Sequence, residues 1–118
     1  MGHFPDLYPW PGPFDARQWS IEHPRPFVAA LRAEAEDVSR AVPHVSNIEY
    51  VRWIDRAAEL HADSVGDTRA SLLERGLMWF VARHEIDYLA EAWPGDELLV
   101  ATWVVDVQRV RSWRAFRI

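Results

Sequence analysis

Ser46-Asn47-Ile48-Glu49-Tyr50-Val51-Arg52-Trp53-Ile54-Asp55-Arg56-Ala57-Ala58-Glu59-Leu60-His61-Ala62-Asp63-Ser64-Val65-Gly66 is the stretch on which the fold turns. Serine followed three residues later by glutamate is a capping-box pattern, in which each side chain satisfies a first-turn amide that has no helical acceptor. Behind it Tyr50, Ile54, Ala57, His61 and Val65 recur at helical spacing, with Val51 and Ala58 beside them. Asp55, Arg56, Glu59 and Asp63 take the other side, and Gly66 stands where a left-handed residue ends a helix. The pattern predicts one long amphipathic helix over 46–65.

Outward from this helix the patterns change. Thr68 to Arg75 predicts a short second helix ended by Gly76. Met78, Phe80, Ala82, His84, Ile86 and Tyr88 then alternate with Val81, Arg83, Glu85 and Asp87, the period of a strand with one apolar face. Pro94-Gly95 is a turn signal, because proline presets the first corner and glycine accepts positive φ at the second. Leu98 to Val107 is a nearly continuous β-branched run that predicts a strand buried on both faces, and Ser112 to Ile118 predicts another. Phe27 to Glu36 suits a short helix or a strand. Six of the eight prolines fall in residues 1–26, which argues against regular structure there. The aromatics among them (Phe4, Tyr8, Trp10, Phe14, Trp19) suggest an arm that packs on the domain or on a partner subunit.

The order of elements is a strand or helix, a long helix, then consecutive antiparallel strands, which predicts an α+β domain with the helix wrapped by a curved sheet. A length of 118 residues leaves room for one core. The net charge of −5 argues against a nucleic-acid binder, which needs a basic face for phosphates. With no cysteine, disulfides, thiolate metal sites and a cysteine nucleophile are excluded. The five histidines do not pair at ligand spacing, so no metal and no cofactor is expected. No apolar run is long enough to span a membrane, and a cytoplasmic protein is expected. Seven tryptophans are many for this length, and suit either a bulky core or a pocket or subunit interface.

The run His44-Val45-Ser46-Asn47-Ile48-Glu49-Tyr50 resembles the H-V-[NS]-N-x-x-Y motif of hotdog-fold thioesterases of the 4-hydroxybenzoyl-CoA and acyl-ACP kind, where that motif begins the central helix. Trp53, Asp55 and His61 continue the likeness. His84-Glu85-Ile86-Asp87-Tyr88 with Pro94-Gly95-Asp96-Glu97-Leu98 is similar to the family's I-x-Y…G-D-x-L hairpin, and 109–118 to its R-x-x-R-x-[FY]-x-I strand. The resemblance covers residues 27–118 and makes Phe27 to Glu36 a strand. It implies a hotdog domain behind an arm of residues 1–26, a homodimer or homotetramer with active sites at the subunit interface, and hydrolysis of an acyl-CoA or acyl-ACP. Family members usually carry one more strand after the point matching Ile118, so that strand is missing here, or the arm or a partner subunit covers the edge.

The family's D-x-D-x-x-G-H-V stretch departs here to 37–44, one residue longer, with Ser39 where the key aspartate is expected and Pro43 for glycine. Asp37 remains as a carboxylate. Thioester hydrolysis needs a base or nucleophile, donors for the developing oxyanion and a slot for the acyl chain. The resemblance assigns Asn47 to orienting water or the carbonyl and His44 to hydrogen bonding or proton transfer; the bland alternative is that both shape a loop and cap a helix. The helix N-terminus at Ser46 is suited to polarise the carbonyl, and Tyr50 is the motif tyrosine beside it. Glu91 follows Tyr88 by three, as a catalytic glutamate does in plant acyl-ACP thioesterases, against the alternative of a solvated rim residue. Asp55 is either an acid of the kind some hotdog enzymes place on this helix or a surface charge. Arg109, Arg111, Arg114 and Arg117 are either a solvated strand face or a site for the nucleotide phosphates of CoA, since arginine suits phosphate. Met78, Trp79, Phe80 and Trp103 suit an acyl tunnel or a core. Ser39 in place of aspartate favours a second reading, a non-catalytic hotdog protein that binds an acyl thioester or serves as an assembly subunit. The hydration motif of hotdog dehydratases is not found.

Overall fold

The computed structural model describes residues 6–38, 41–108 and 110–118. Four strands form one antiparallel sheet in the order β1-β2-β3-β4: β1 is Tyr8–Pro9, β2 Phe27–Arg32, β3 Glu97–Val107 and β4 Ser112–Arg117. A 3-10 turn, Ala35–Asp37, follows β2. Helix α1, Asn47–Ser64, and the short α2, Arg69–Glu74, stand between β2 and β3. This is the α+β arrangement expected from the pattern, one long helix against an antiparallel sheet.

Helix α1 forms where its caps place it. Ser46 is extended at φ −65, ψ 140, and its Oγ accepts from the Ile48 amide at 3.4 Å. At the other end Gly66 adopts φ +86, a conformation that a residue with a Cβ holds only under strain. Helix α2 repeats the device, with Thr68 Oγ1 accepting from Ser71 and Gly76 at φ +71 beyond its end. The buried stripe of α1 is Glu49, Trp53, Ile54 and Ala57. Val65, expected to share it, is exposed, and Tyr50 and His61 lie at its margins.

The helix packs on alternate residues of the sheet. Ala29 and Leu31 of β2 and Val100 of β3 join Trp53, Ala57, Val45, Ala33, Ala92 and Leu7 in one core cluster, with Phe27, Tyr50, Leu60 and Leu98 packed on it. Burial of β3 on both faces holds for Val100, Ala101 and Thr102 and is lost from Val105 onward. Trp93-Pro94-Gly95-Asp96 makes the expected turn: the Asp96 amide donates to the Trp93 carbonyl at 3.0 Å, and Gly95 takes φ +92.

Three expectations need correction. Residues 1–26 contain a strand: β1 pairs Tyr8 with Ala30 and Pro9 with Ala29, at a sheet edge where proline's missing donor costs no ladder bond. Because β1 borders β2, the arm covers the opposite edge from β4. The alternating segment 78–88 is not a strand. It has no regular structure, and Met78, Trp79, Phe80, Val81 and Tyr88 are exposed. Its period of two is intact, but β3 already has β2 and β4 on its two sides, and no strand among the described residues pairs with it. Lastly, the capping box at Ser46 is half formed. The Ser46 amide donates to the Asp37 carbonyl at 2.7 Å, leaving the Glu49 carboxylate turned inward.

Candidate active site

The chain arrives at α1 through a closed loop. Val38 and Val45 form an antiparallel bridge, the Val45 amide donates to the Ala92 carbonyl at 2.8 Å, and the Ser46 amide holds the Asp37 carbonyl. These three contacts fix the direction in which the helix N-terminus points. Tyr50 adds a fourth, its hydroxyl accepting from the Ala92 amide at 3.0 Å, while the Tyr88 hydroxyl donates to the Asn47 carbonyl at 3.1 Å. The rings of Tyr50 and Tyr88 meet edge to face at 5.5 Å. The segment 88–92 is thereby laced to the first turn of α1, a link that no local pattern announced.

His44 is half-buried, with its ring edge-on to Trp93 at 6.0 Å. Its Nδ1 lies 2.9 Å from the Val45 carbonyl oxygen. A carbonyl only accepts, so Nδ1 is the donor here and Nε2 is the ring nitrogen left for other contacts. Asn47 and Ile48 are exposed at the first turn. Among the described residues the Ile48 amide has only the long 3.4 Å contact to Ser46, so a carbonyl oxygen arriving there meets a donor at the positive end of an eighteen-residue helix. This geometry can polarise a carbonyl, with the imidazole of His44 in the loop just ahead of the helix.

The carboxylates differ sharply. Asp37 is 2% exposed, and its Oδ2 accepts from the Glu34 amide at 2.7 Å, a bond that closes the 3-10 turn. Glu91 is exposed beside the buried Ala92. Asp55 is exposed on α1, two turns beyond Asn47 and about 12 Å along the axis. Ser39 and Arg109 lie outside the described residues. Arg111 is exposed at the tip of the β3–β4 hairpin, where the Gln108 amide donates to its carbonyl. That tip is the far end of an eleven-residue strand, roughly 30 Å from the Trp93–Asp96 turn. Asp37, His44, Ser46, Asn47 and Tyr50 are therefore brought together, Glu91 borders them, and Asp55 and Arg111 stand apart.

Two features escaped the sequence patterns. Glu49 is buried in the first turn of α1, and its place four residues before Trp53 on the buried stripe was the available signal. At the other end of α1, Arg114 of β4 donates to His61 Nδ1 at 2.7 Å and to Thr102 Oγ1 at 3.2 Å, while the His61 ring stacks on Phe27 at 5.1 Å. Burial, then the guanidinium of Arg114, then His23 lower the His61 pKa, and burial lowers that of Arg114. A cleft of about 430 Å³ lies away from both, between Tyr8, Trp10, Arg32, Glu34 and Leu99. The row Tyr8, Ala30, Leu99 alternates with the helix-facing residues, so this cleft opens on the side of the sheet away from α1. No helix among the described residues is long and apolar enough to cross a membrane.

A family model described as the thioesterase-like superfamily matches residues 34–118, the part of the chain that carries the loop, α1 and the β3–β4 hairpin. No curated protein matches the chain.

Proposed function

The chain belongs to the thioesterase-like superfamily, and on that footing we propose that it hydrolyses an acyl thioester, an acyl-CoA or acyl-ACP, at the N-terminus of α1. The observation that carries this reading is the loosely held Ile48 amide at the end of a long helix, with His44 donating through Nδ1 in the loop that leads into that helix. The carbonyl oxygen takes up the first-turn amides. Asn47 orients the carbonyl or the water, His44 relays a proton, and a carboxylate activates the water. Loss of one oxyanion donor in such sites costs on the order of a hundredfold or more in kcat.

The working unit of this proposal is a cytoplasmic homodimer or homotetramer. Its support is segment 77–89, whose exposed Met78, Trp79, Phe80 and Leu89 suit burial against a second copy. Near its end Tyr88 donates to the carbonyl of Asn47, so a partner seated there would border the active site.

Thiol release from short, long and aromatic acyl-CoAs tests the reading. Turnover by the wild type, reduced about a hundredfold in His44→Ala and about tenfold or more in Asn47→Ala, is expected. A folded wild-type oligomer without turnover on any of these substrates sinks it. That result would favour the second reading, a non-catalytic protein binding acyl thioesters, to which Ser39 in place of the family aspartate already points.

A further inference from the structure

Glu49 is the third residue after the Ser46 cap, where its carboxylate ordinarily reaches back to the cap amide. Here that amide is taken by the Asp37 carbonyl. Freed from the cap, Glu49 is only 8% exposed and heads the buried stripe that continues through Trp53 and Ala57. Its Oε1 lies 3.9 Å from Arg52 Nη1, the outer limit of an ion pair. Its Oε2 is enclosed, with no hydrogen-bond partner among the described residues. A buried carboxylate oxygen without a donor is costly to keep, and an apolar residue would serve packing better. Buried polar atoms of this kind are where proteins commonly bind a water, and a water is what the proposed hydrolysis requires.

Its position suits that task. Glu49 belongs to the first turn of α1, the same turn whose amides face the proposed carbonyl oxygen, and a carboxylate at this position has the reach of the cap. The alternatives are poorer. One oxygen of Asp37 is engaged in closing the 3-10 turn, and the Glu91 side chain is open to solvent.

We propose that Glu49 is the carboxylate that holds and activates the hydrolytic water, a proposal that rests on the thioesterase reading above. Glu49 Oε2 takes a proton from the water as the water oxygen bonds to the thioester carbon, and the carbonyl electron pair moves onto the oxygen facing the first-turn amides. When that pair returns, the C–S bond breaks and its electrons leave on sulfur. The proton on Glu49 passes to the thiolate, giving free acid and thiol and restoring the carboxylate.

The test compares wild type, Glu49→Gln and Glu49→Asp for thiol release from the acyl-CoA panel across pH 5 to 9, with thermal unfolding of each. Glutamine keeps the shape and removes the base: kcat is expected to fall at least about a hundredfold, with KM within about threefold and the acid limb of the kcat profile gone. Its thermal midpoint is expected at or above that of the wild type, since a buried charge has been removed. Aspartate is expected to lose about tenfold and keep the acid limb, and it carries the test if the glutamine variant does not fold. An active wild type with Glu49→Gln or Glu49→Asp at full rate overturns the role of Glu49 and leaves the thioesterase standing. A wild type inactive on the whole panel overturns the thioesterase reading, and the role of Glu49 with it.

Discussion

Helix α1 and segment 77–89 both carry regular hydrophobic patterns, yet one is ordered and buried on its stripe while the other lies open. Every interior amide of α1 finds its acceptor four residues back, so period 3.6 between two caps is enough to make the element. A strand finds no acceptor within itself. Segment 77–89 keeps its alternation, but without a neighbouring strand its side chains face solvent, with Phe80 80% and Leu89 89% exposed. A helix is thus specified locally, whereas a strand is specified jointly with whatever pairs with it.

The comparison breaks most sharply at its packed side. Trp53 is 1% exposed at the centre of the core cluster. Trp53→Ala is expected to cost about 3–5 kcal/mol in urea unfolding. The open side should behave differently. In a lone chain Phe80→Asp changes stability by roughly 0.5 kcal/mol or less, as surface substitutions do. If two copies bury this segment, the same substitution weakens their association at least about a hundredfold, ~2.7 kcal/mol. Sedimentation equilibrium of both proteins decides: a wild type that is monomeric at high concentration removes the second copy from the account.

A smaller effect sharpens the local argument. Ser46→Ala removes the acceptor for the Ile48 amide and is expected to cost about 1 kcal/mol by chemical denaturation. Ser46→Gly should cost only a few tenths. Equal losses in both would mean that the bridge between Val38 and Val45, and not the hydroxyl, sets the start of α1.

The same distinction governs what could be foreseen. Features written into a few adjacent residues were legible: the cap Ser46, the stops Gly66 and Gly76, the Pro94-Gly95 turn, and the runs of β3 and β4. Features that depend on residues distant in sequence were not. The inward turn of Glu49 follows from Asp37 claiming the Ser46 amide, and the lacing of Tyr88 to Asn47 spans 41 residues. The strand at Tyr8–Pro9 exists because β2 offers an edge, which a proline-rich composition conceals. At the candidate site, His44 and Asn47 were visible as a motif at a helix start, while the ranking of the carboxylates depended on burial and hydrogen bonding.

The smallest effect concerns the far end of α1, where helix and sheet meet through a titratable pair. His61 Nδ1 accepts from Arg114, so the fold favours the neutral imidazole. Burial, Arg114 and His23 act in one direction and hold the pKa below its usual value of about 6.5. The unfolded chain then binds the His61 proton more readily than the folded one, so the contribution is intact above pH 6.5. It diminishes as pH falls through that value and levels off below the folded-state pKa. The thermal midpoint of the wild type is expected to drop between about pH 7 and 5 by more than that of His61→Gln, whose amide oxygen can still accept from Arg114 without titrating. Parallel midpoints for the two proteins across that range would mean that His61 titrates alike in both states and that the contact with Arg114 adds nothing to the joint between α1 and β4.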